Sequence, residues 1–304
     1  MELYDHKYHC WKKKGHGYMT LRNAIKQSCD IYFYEVARIL GVDRLSITAK
    51  KYGLGEKVLS GYFPEEKSGV IPSTQWKLKN IGRGWVLGET LLTGIGQGYI
   101  QCTPLELCLM AAQIANGGFK IKPRIIDDGS VAYEDIKSRI DDQLKKYEES
   151  SKEETITADM DLNLFKDESV YLKPLFRNFE NVKFVNEAMY AVSNELMGTA
   201  YSSRYEKKKY QYAGKTGTAQ IKRITKEQRE LDLDTKDIPY EDRDHALFIG
   251  FAPFENPRYA ISVLIEHGGS GGKVAAPLAK KAIKLVIDRH ELREKIRKER
   301  RIEI

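Results

Sequence analysis

The sequence predicts a mixed α/β fold of the α+β type, with an antiparallel sheet and helices packed against it. Helical patterns with polar caps and terminating glycines dominate the first two-thirds of the chain. Strand patterns are concentrated in the last third, where two apolar runs flank a short turn and predict an antiparallel hairpin. With 304 residues, of which 41% are hydrophobic, the chain can bury a sizeable core.

End signals predict three short helices near the start of the chain. These are 21–27 with Thr20 as cap, 30–40 with Asp30 as cap and Gly41 after its end, and 43–52 followed by Gly53. The range 55–90 is rich in glycine, proline and aromatic residues and has no steady periodicity. We therefore expect a long irregular segment there, of the kind that often lines a cleft.

A capping box marks a further helix start. Thr103-Pro104-Leu105-Glu106 combines a polar cap, a proline at the first helical position and a glutamate three residues after the cap. The apolar run that follows predicts a helix that ends before Asn116-Gly117-Gly118. Its buried face, packed against a sheet, is expected to contain Leu105, Leu109 and Ala112, with Cys108 beside it.

Two regions of the chain are dense in charge. The region at about 127–180 lacks an apolar stripe and predicts a peripheral insertion. The tail at about 290–304 predicts a frayed, solvated helix. Between the insertion and the strands, the range 182–197 is predicted to be helical.

The last third contains three predicted strands and a closing helix. The strands are 211–221, 245–251 and 259–266, and a turn at 255–258 joins the last two. The helix starts at Pro277, and its predicted apolar face is Leu278, Ala282, Ile283, Val286 and Ile287.

Composition argues against two classes of function. The net charge of +7 is modest and mixed with many acids, and no basic run alternates with aromatic residues, so nucleic-acid binding is not expected. No stretch reaches the roughly 18 to 20 apolar residues of a membrane span. Residues 1–6 also lack the basic and then apolar character of a signal peptide. We therefore expect no export signal and no membrane anchor in these 304 residues.

One strand and one helix junction carry the chemistry. Lys215-Thr216-Gly217-Thr218 places a cation, two hydroxyls and a glycine on a predicted strand, which indicates a carboxylate-binding strand of an acyl-transfer enzyme. Ser28 and Asp30 project a hydroxyl and a carboxylate from the junction of two predicted helices. Both residues could instead serve only as helix caps, which is the simplest alternative.

Together these motifs resemble those of the penicillin-binding proteins and serine β-lactamases, where Lys-Thr-Gly lies on a strand and Ser-x-Asn or a close relative precedes it. Further segments are similar to the class B family of penicillin-binding protein 2, and they follow that family's order along nearly the whole chain. They are 9–13 with 15–17, 28–34, 94–99 with 103–105, 198–200 and 245–253.

The resemblance implies a transpeptidase fold, an antiparallel sheet with helices on both faces. The chain would be a partial transpeptidase domain over 1–304 that begins after the nucleophile, because no Ser-x-x-Lys precedes Ser28. Its N-terminal strands would be missing as well. The family is anchored in the inner membrane and works in the periplasm, so one truncation would account for both the absent anchor and the absent nucleophile.

The resemblance also implies roles for the site residues. Lys215 would supply positive charge to the substrate's terminal carboxylate and to Ser28. Ser28 would relay a proton toward the leaving amine, and Asp30 would orient the junction, at a position where the wider family has asparagine. The backbone N–H of Thr218 would form half of the oxyanion hole. The substrate-binding residues would be Thr216, Gly217 and Thr218.

The function implied is that of a D,D-transpeptidase, which cross-links stem peptides ending in D-Ala-D-Ala during cell-wall elongation and binds β-lactams, without a cofactor or metal. Activity would need a docked N-terminal polypeptide that carries Ser-x-x-Lys, and cell-elongation proteins are further implied partners. The alternative is a non-catalytic remnant, or a peptide- or β-lactam-binding module from a split or decayed gene. An adjacent reading frame that ends in Ser-x-x-Lys would favour the split enzyme.

Three other motif matches are rejected. Gly214-Lys215-Thr216 lacks the glycine that a P-loop needs five residues before it, where Lys209 stands. Gly94-Ile95-Gly96-Gln97-Gly98 lacks the third glycine of a dinucleotide fingerprint. Ser270-Gly271-Gly272-Lys273 matches Ser-x-x-Lys, but its two glycines and Pro277 disfavour the required helix, and it follows the Lys-Thr-Gly strand.

The histidines and cysteines suggest no established site. The spacing of His6, His9, Cys10 and His16 fits no zinc pattern, so no metal site is predicted. His245 opens a strand without an identifiable acid partner, which leaves a Ser-His-Asp triad unsupported. Cys10 and Cys29 flank a helical stretch, and either a disulfide in an oxidising compartment or two free thiols is compatible with the sequence.

Overall fold

The computed structural model describes residues 1–4, 6–125, 133–150, 173–221 and 237–302. These residues form two compact units. The first comprises Met1–Arg22 with Cys29–Glu187, and the second comprises Asn23–Ser28 with Ala188–Ile304. Among the described residues, no helix has the length and apolar character that crossing a membrane requires.

The first unit is built mainly from helices. β1 (Glu2–Leu3) and β2 (His6–Lys7) form a short antiparallel pair. Helix α2 (Asp30–Leu40) packs closely on α5 (Leu87–Gly94), where a side chain in place of Gly94 would collide with Ala37. Helices α1 and α8 contribute residues to both units. The elements are β1 (Glu2–Leu3), β2 (His6–Lys7), α1 (Leu21–Gln27), α2 (Asp30–Leu40), α3 (Val42–Lys51), α4 (Thr74–Ile81), α5 (Leu87–Gly94), α6 (Pro104–Ala115), α7 (Tyr133–Ser150) and α8 (Phe179–Asn194).

The end signals located the early helices but misassigned one cap. Helix α1 has its predicted bounds, and α3 lies one residue from them. Helix α2 also spans its predicted range, but Cys29 is the N-cap and makes no side-chain capping bond. Asp30 is the first helical residue, and its carboxylate accepts the Trp11 N–H at 2.8 Å. The prediction of Asp30 as cap was therefore wrong, because its side chain bonds a distant backbone group.

The range 55–90 is more regular than predicted. It contains α4 and the start of α5. Ser73 caps α4 by accepting the Trp76 N–H at 3.0 Å, and Glu89 accepts the Val86 N–H at 3.0 Å at the start of α5. The expected long irregular segment was wrong, because short capped helices formed between the glycines and prolines.

Helix α6 confirms the capping box but buries a different face from the predicted one. Its buried residues are Glu106, Ala111 and Gln113, whereas Leu105 is 37% exposed. The Glu106 carboxylate accepts the Gly69 N–H at 2.6 Å and the Thr103 N–H at 3.2 Å. The helix is thus tied to neighbouring backbone through buried polar groups, each of which is satisfied by a hydrogen bond.

Replacing Glu106 with alanine should destabilise the protein by about 2–4 kcal/mol, because two backbone N–H groups lose their acceptor in a buried setting. Glu106→Gln keeps one acceptor oxygen and should cost less. Equilibrium urea unfolding measures both changes. Glu56→Ala, at an exposed position of the same unit, is the control and should be close to neutral. Equal stabilities for E106A and E56A would contradict this account.

The second unit is organised around a three-stranded antiparallel sheet of order β3-β4-β5. The strands are β3 (Ala213–Ala219), β4 (His245–Ala252) and β5 (Tyr259–Ile265), and a π-helical turn at Gly271–Ala275 leads into α9 (Ala276–Ile302). All three strands confirm the prediction to within two residues. This antiparallel sheet with accompanying helices is the predicted fold class.

Helix α9 packs on the sheet through small residues as well as large ones. Its buried side chains include Ala279, Ile283 and Ile287, in one core with Phe248. The predicted face was therefore right for Ile283 and Ile287. It was wrong for Leu278 and Val286, which are 43% and 45% exposed, because alanines occupy the contact instead.

The charged regions are only partly described. Helix α7 lies in the predicted insertion, and 151–172 falls outside the described residues, so the insertion stays a prediction. In the tail, α9 continues to Ile302.

Strand β5 has β4 as its neighbour in the described sheet and no described strand on its other side. Exposed sheet edges invite pairing with another chain, so this chain expressed alone should be poorly soluble and self-associate as its concentration rises. Light scattering after size exclusion measures this. Leu264→Lys, which charges the edge, should lower association, whereas Leu285→Lys on α9 should not. A monodisperse, cooperatively melting monomer would count against the prediction.

Candidate active site

The ammonium of Lys215 lies against the hydroxyl of Ser28 in the second unit. Lys215 Nζ donates to Ser28 Oγ at 2.8 Å and to the Thr216 carbonyl at 2.9 Å. The two side chains are 187 positions apart in the sequence, and both are partly buried. A cation is therefore held beside a hydroxyl at the end of α1.

The position of Lys215 follows from strand β3. This strand is at one end of the described sheet order, so its outer edge faces away from β4. Gly214 makes the close approach possible, because a Cβ at this position would collide with the Phe248 ring and the Ile249 carbonyl. Side chains alternate across a strand, so Lys215 and Gly217 share one face of β3. An extended peptide can add to such an edge through its backbone.

Ser28 occupies a strained backbone conformation. Its φ is +54°, in the left-handed region that non-glycine residues rarely adopt, and its N–H donates to Ile25 O at 3.3 Å. Such residues cost roughly 1–3 kcal/mol and cluster at functional sites. The chain around Ser28 is tied down, since Thr199 N donates to Lys26 O at 3.3 Å. The turn therefore fixes the direction of the serine hydroxyl.

Thr199 is a site residue to which sequence reasoning gave no role. Its hydroxyl is 2.7 Å from the Thr216 hydroxyl, and either oxygen can donate. The Gly198-Thr199-Ala200 segment belongs to the resemblance, which was the only signal available for it. Thr218 is exposed on β3 and pairs across from Ala246.

Asp30 lies in the first unit, where it begins α2 and binds the Trp11 N–H. Its proposed orienting role stays a prediction.

Two rejected motifs are explained by local structure. Lys215 lies inside a strand rather than at the start of a helix, as a P-loop would require. Ser270 accepts the Lys273 N–H at 3.4 Å as the cap of a π-helical turn.

A second cluster, in the first unit, contains Cys10, His16 and Cys29. One ligand atom of each lies within 4.8 Å of the other two, and Cys10 Sγ is 3.4 Å from His16 Nδ1. Both cysteines are buried free thiols, and burial raises the pKa of the Cys10 thiol. Two thiolates and an imidazole suit a zinc ion, which would cross-link the segments carrying them. Sequence reasoning missed this set because it did not consider Cys29 as a ligand beside His16.

Comparisons with known proteins place this geometry in context. Residues 2–284 match the penicillin binding protein transpeptidase domain family. The chain is 34% identical over 276 residues to the peptidoglycan D,D-transpeptidase MrdA of Haemophilus influenzae, with 90% of this chain and 37% of the relative covered. It is 33% identical over 280 residues to MrdA of Acinetobacter baumannii, covering 91% and 36%. The chain thus spans well under half the length of these relatives.

Two solved structures have the same fold. PBP2 of Helicobacter pylori, in a complex with MreC, superposes with a TM-score of 0.70 at 31% identity, covering 94% of this chain and 43% of that one. PBP2 of Pseudomonas aeruginosa, in complex with WCK 5153, gives 0.66 at 33% identity, covering 92% and 50%.

The Cys10–His16–Cys29 cluster should bind a thiophilic divalent metal. Cobalt added to the reduced chain should give thiolate-to-metal absorption that zinc abolishes, because both ions accept this donor set. Cys10→Ser or Cys29→Ser should weaken binding strongly, whereas Cys108→Ser, outside the cluster, is the control. Identical cobalt spectra from the wild-type chain and a Cys10/Cys29 double variant would contradict the assignment.

Proposed function

The chain belongs to the penicillin-binding protein transpeptidase domain family, and we propose that it supplies the carboxylate-binding strand and proton relay of a peptidoglycan D,D-transpeptidase. The observation that carries this proposal is the 2.8 Å contact of Lys215 Nζ with Ser28 Oγ. A cation on a sheet edge, beside a hydroxyl in a strained turn, suits a peptide that ends in a carboxylate.

Strand β3 would bind the substrate. A stem peptide ending in D-Ala-D-Ala lies along the strand edge, and its terminal carboxylate is attracted by the Lys215 ammonium. The hydroxyls of Thr216 and Thr218 donate to the same carboxylate. Gly217 has no side chain to obstruct the backbone of the peptide. A β-lactam, whose carboxylate sits beside a reactive amide, would use the same contacts.

Ser28 would move a proton. Because Lys215 donates to Ser28 Oγ, the serine keeps its own hydrogen for donation to a second group. In acylation, a nucleophilic serine attacks the penultimate carbonyl carbon, the peptide C–N bond breaks, and the leaving D-alanine amine takes up a proton. Ser28 would give its own hydrogen to that amine and take up the proton that the attacking serine loses, and Asp30 would orient the junction.

The nucleophile would come from outside these residues. The one Ser-x-x-Lys match, Ser270–Lys273, serves as a turn cap, so we assign the nucleophile to a polypeptide segment that carries this motif and docks on the chain. By analogy with the H. pylori PBP2–MreC complex, an elongation protein would be a further partner. The family resemblance further implies that the site would work in the periplasm of a membrane-anchored assembly.

Labelled penicillin tests the proposal. The chain alone should not become covalently labelled, whereas the chain mixed with a Ser-x-x-Lys polypeptide should promote labelling of that polypeptide. Lys215→Ala should slow labelling roughly ten- to hundredfold, the effect of losing a hydrogen bond to a charged group. Lys273→Ala, at an exposed position, is the matched control.

Two outcomes would contradict the proposal. Covalent labelling of the chain by itself would refute an external nucleophile. Equal labelling rates for the K215A and K273A variants would refute the carboxylate site, and would favour a non-catalytic remnant.

A further inference from the structure

A glycine-rich turn lies directly behind the carboxylate-binding strand. The segment 267–272 follows β5, and its first residue, His267, has a φ of +56°. A Cβ on Gly271 would collide with the Gly217 and Leu247 backbones, and one on Gly272 would collide with the Thr199 carbonyl. The turn therefore supports β3 at Gly217 by direct backbone contact.

Three hydrogen bonds from the turn hold it to residues 243–245. The His267 N–H donates to His245 Nδ1 at 3.0 Å, and the Gly269 N–H donates to the Asp244 carbonyl at 2.7 Å. His267 Nδ1 lies 3.3 Å from the Arg243 carbonyl. The His245 and His267 rings also meet edge to face, with centroids 5.1 Å apart.

These bonds fix the tautomers of both rings. A carbonyl oxygen only accepts, so His267 Nδ1 must carry a hydrogen. A backbone N–H only donates, so His245 Nδ1 must be unprotonated, and neutral His245 must carry its hydrogen on Nε2. A second proton on His267 leaves its bond intact. A proton on His245 Nδ1 removes the acceptor for His267 N–H.

We propose that His245 is a positioning residue, whose bare Nδ1 holds the 267–272 turn against β3 and thereby keeps the Lys215–Gly217 backbone in place for a bound carboxylate. The part of this inference that concerns the ligand rests on the proposed function; the part that concerns β3 does not. Protonation of His245 should loosen the support of the strand.

Several charged or titratable groups lie near the His245 and His267 rings. Burial raises the pKa of the Asp244 carboxyl, which accepts the Ile221 N–H at 3.3 Å. When ionised, that carboxylate is a negative charge that interacts with His245. The His267 ring meets the His245 ring, and the Tyr240 ring in turn meets His267. Glu266 precedes His267 in the sequence, and the guanidinium of Arg243 donates to the Ile238 carbonyl.

Nuclear magnetic resonance on the wild-type chain, at a concentration low enough to keep it monomeric, tests the tautomers directly. Long-range ¹⁵N–¹H spectra should show His245 protonated on Nε2 and His267 on Nδ1 near neutral pH. As the pH falls, the amide signals of Gly217, Thr218 and Gly271 should shift with the midpoint of the His245 ring. A His245 ring protonated on Nδ1 at neutral pH would overturn the proposal without any variant.

Substitutions of His245 separate the effect of its hydrogen-bond acceptor from the effect of its side-chain volume. The side-chain oxygen of His245→Asn can replace Nδ1 as acceptor and does not titrate. In H245N, the amide signals of Gly217 and Thr218 should match those of the wild type at neutral pH. In acid, they should lack the shift that accompanies protonation of His245. H245A should displace those amides at every pH. His290→Asn, on α9, is the control and should leave them unchanged.

A peptide-binding measurement separates this inference from the proposed function. The affinity for an acylated peptide ending in D-Ala-D-Ala should fall about fivefold in H245A and stay within about twofold in H245N. A folded H245A chain with unmoved Gly217 and Thr218 amides would overturn the positioning role. Shifted amides with no peptide binding by the wild type would support positioning and count against the carboxylate site.

Discussion

The contact of the Lys215 ammonium with the Ser28 hydroxyl is the constraint around which the second unit is arranged. It requires an edge strand to present a lysine and a helix to end in a left-handed serine. The second requirement goes against local propensity, since a serine with positive φ is unfavourable by itself. Hydrogen bonds that Ile25 O accepts from Ser28 N–H and Lys26 O accepts from Thr199 N–H hold that conformation.

Backbone contact, more than side-chain packing, supports the strand. Gly214 lies against the Phe248 ring, Gly271 against Gly217, and Gly272 against the Thr199 carbonyl. A methyl group at any of these positions needs space that backbone or ring atoms already fill. Interiors packed to this density transmit small displacements rather than absorbing them. The geometry of Lys215 therefore depends on residues that never touch a ligand.

Local signals in the sequence were sufficient for the strands and for the Thr103 capping box, because each is encoded within a few residues. They failed where a side chain bonds a distant partner. Asp30 serves Trp11 N–H instead of its own helix, and Glu106 is buried because Gly69 needs an acceptor. The nearness of Ser28 to Lys215 followed from resemblance alone, and no spacing rule connects Cys10, His16 and Cys29. Such contacts are tertiary, and periodicity carries no information about them.

The register of β3 and β4 explains how a histidine outside the carboxylate site can act on it. Ala219 pairs with His245, and Gly217 pairs with Leu247, so the imidazole anchor and the supported glycine are two residues apart. Two strand residues span about 6.8 Å, so the His245 imidazole and the 267–272 turn together can bridge the separation to Gly217. A one-residue slip would turn His245 to the other face of the sheet. The β3–β4 pairing therefore places Lys215 in the site and also fixes how far His245 lies from the glycine that its turn supports.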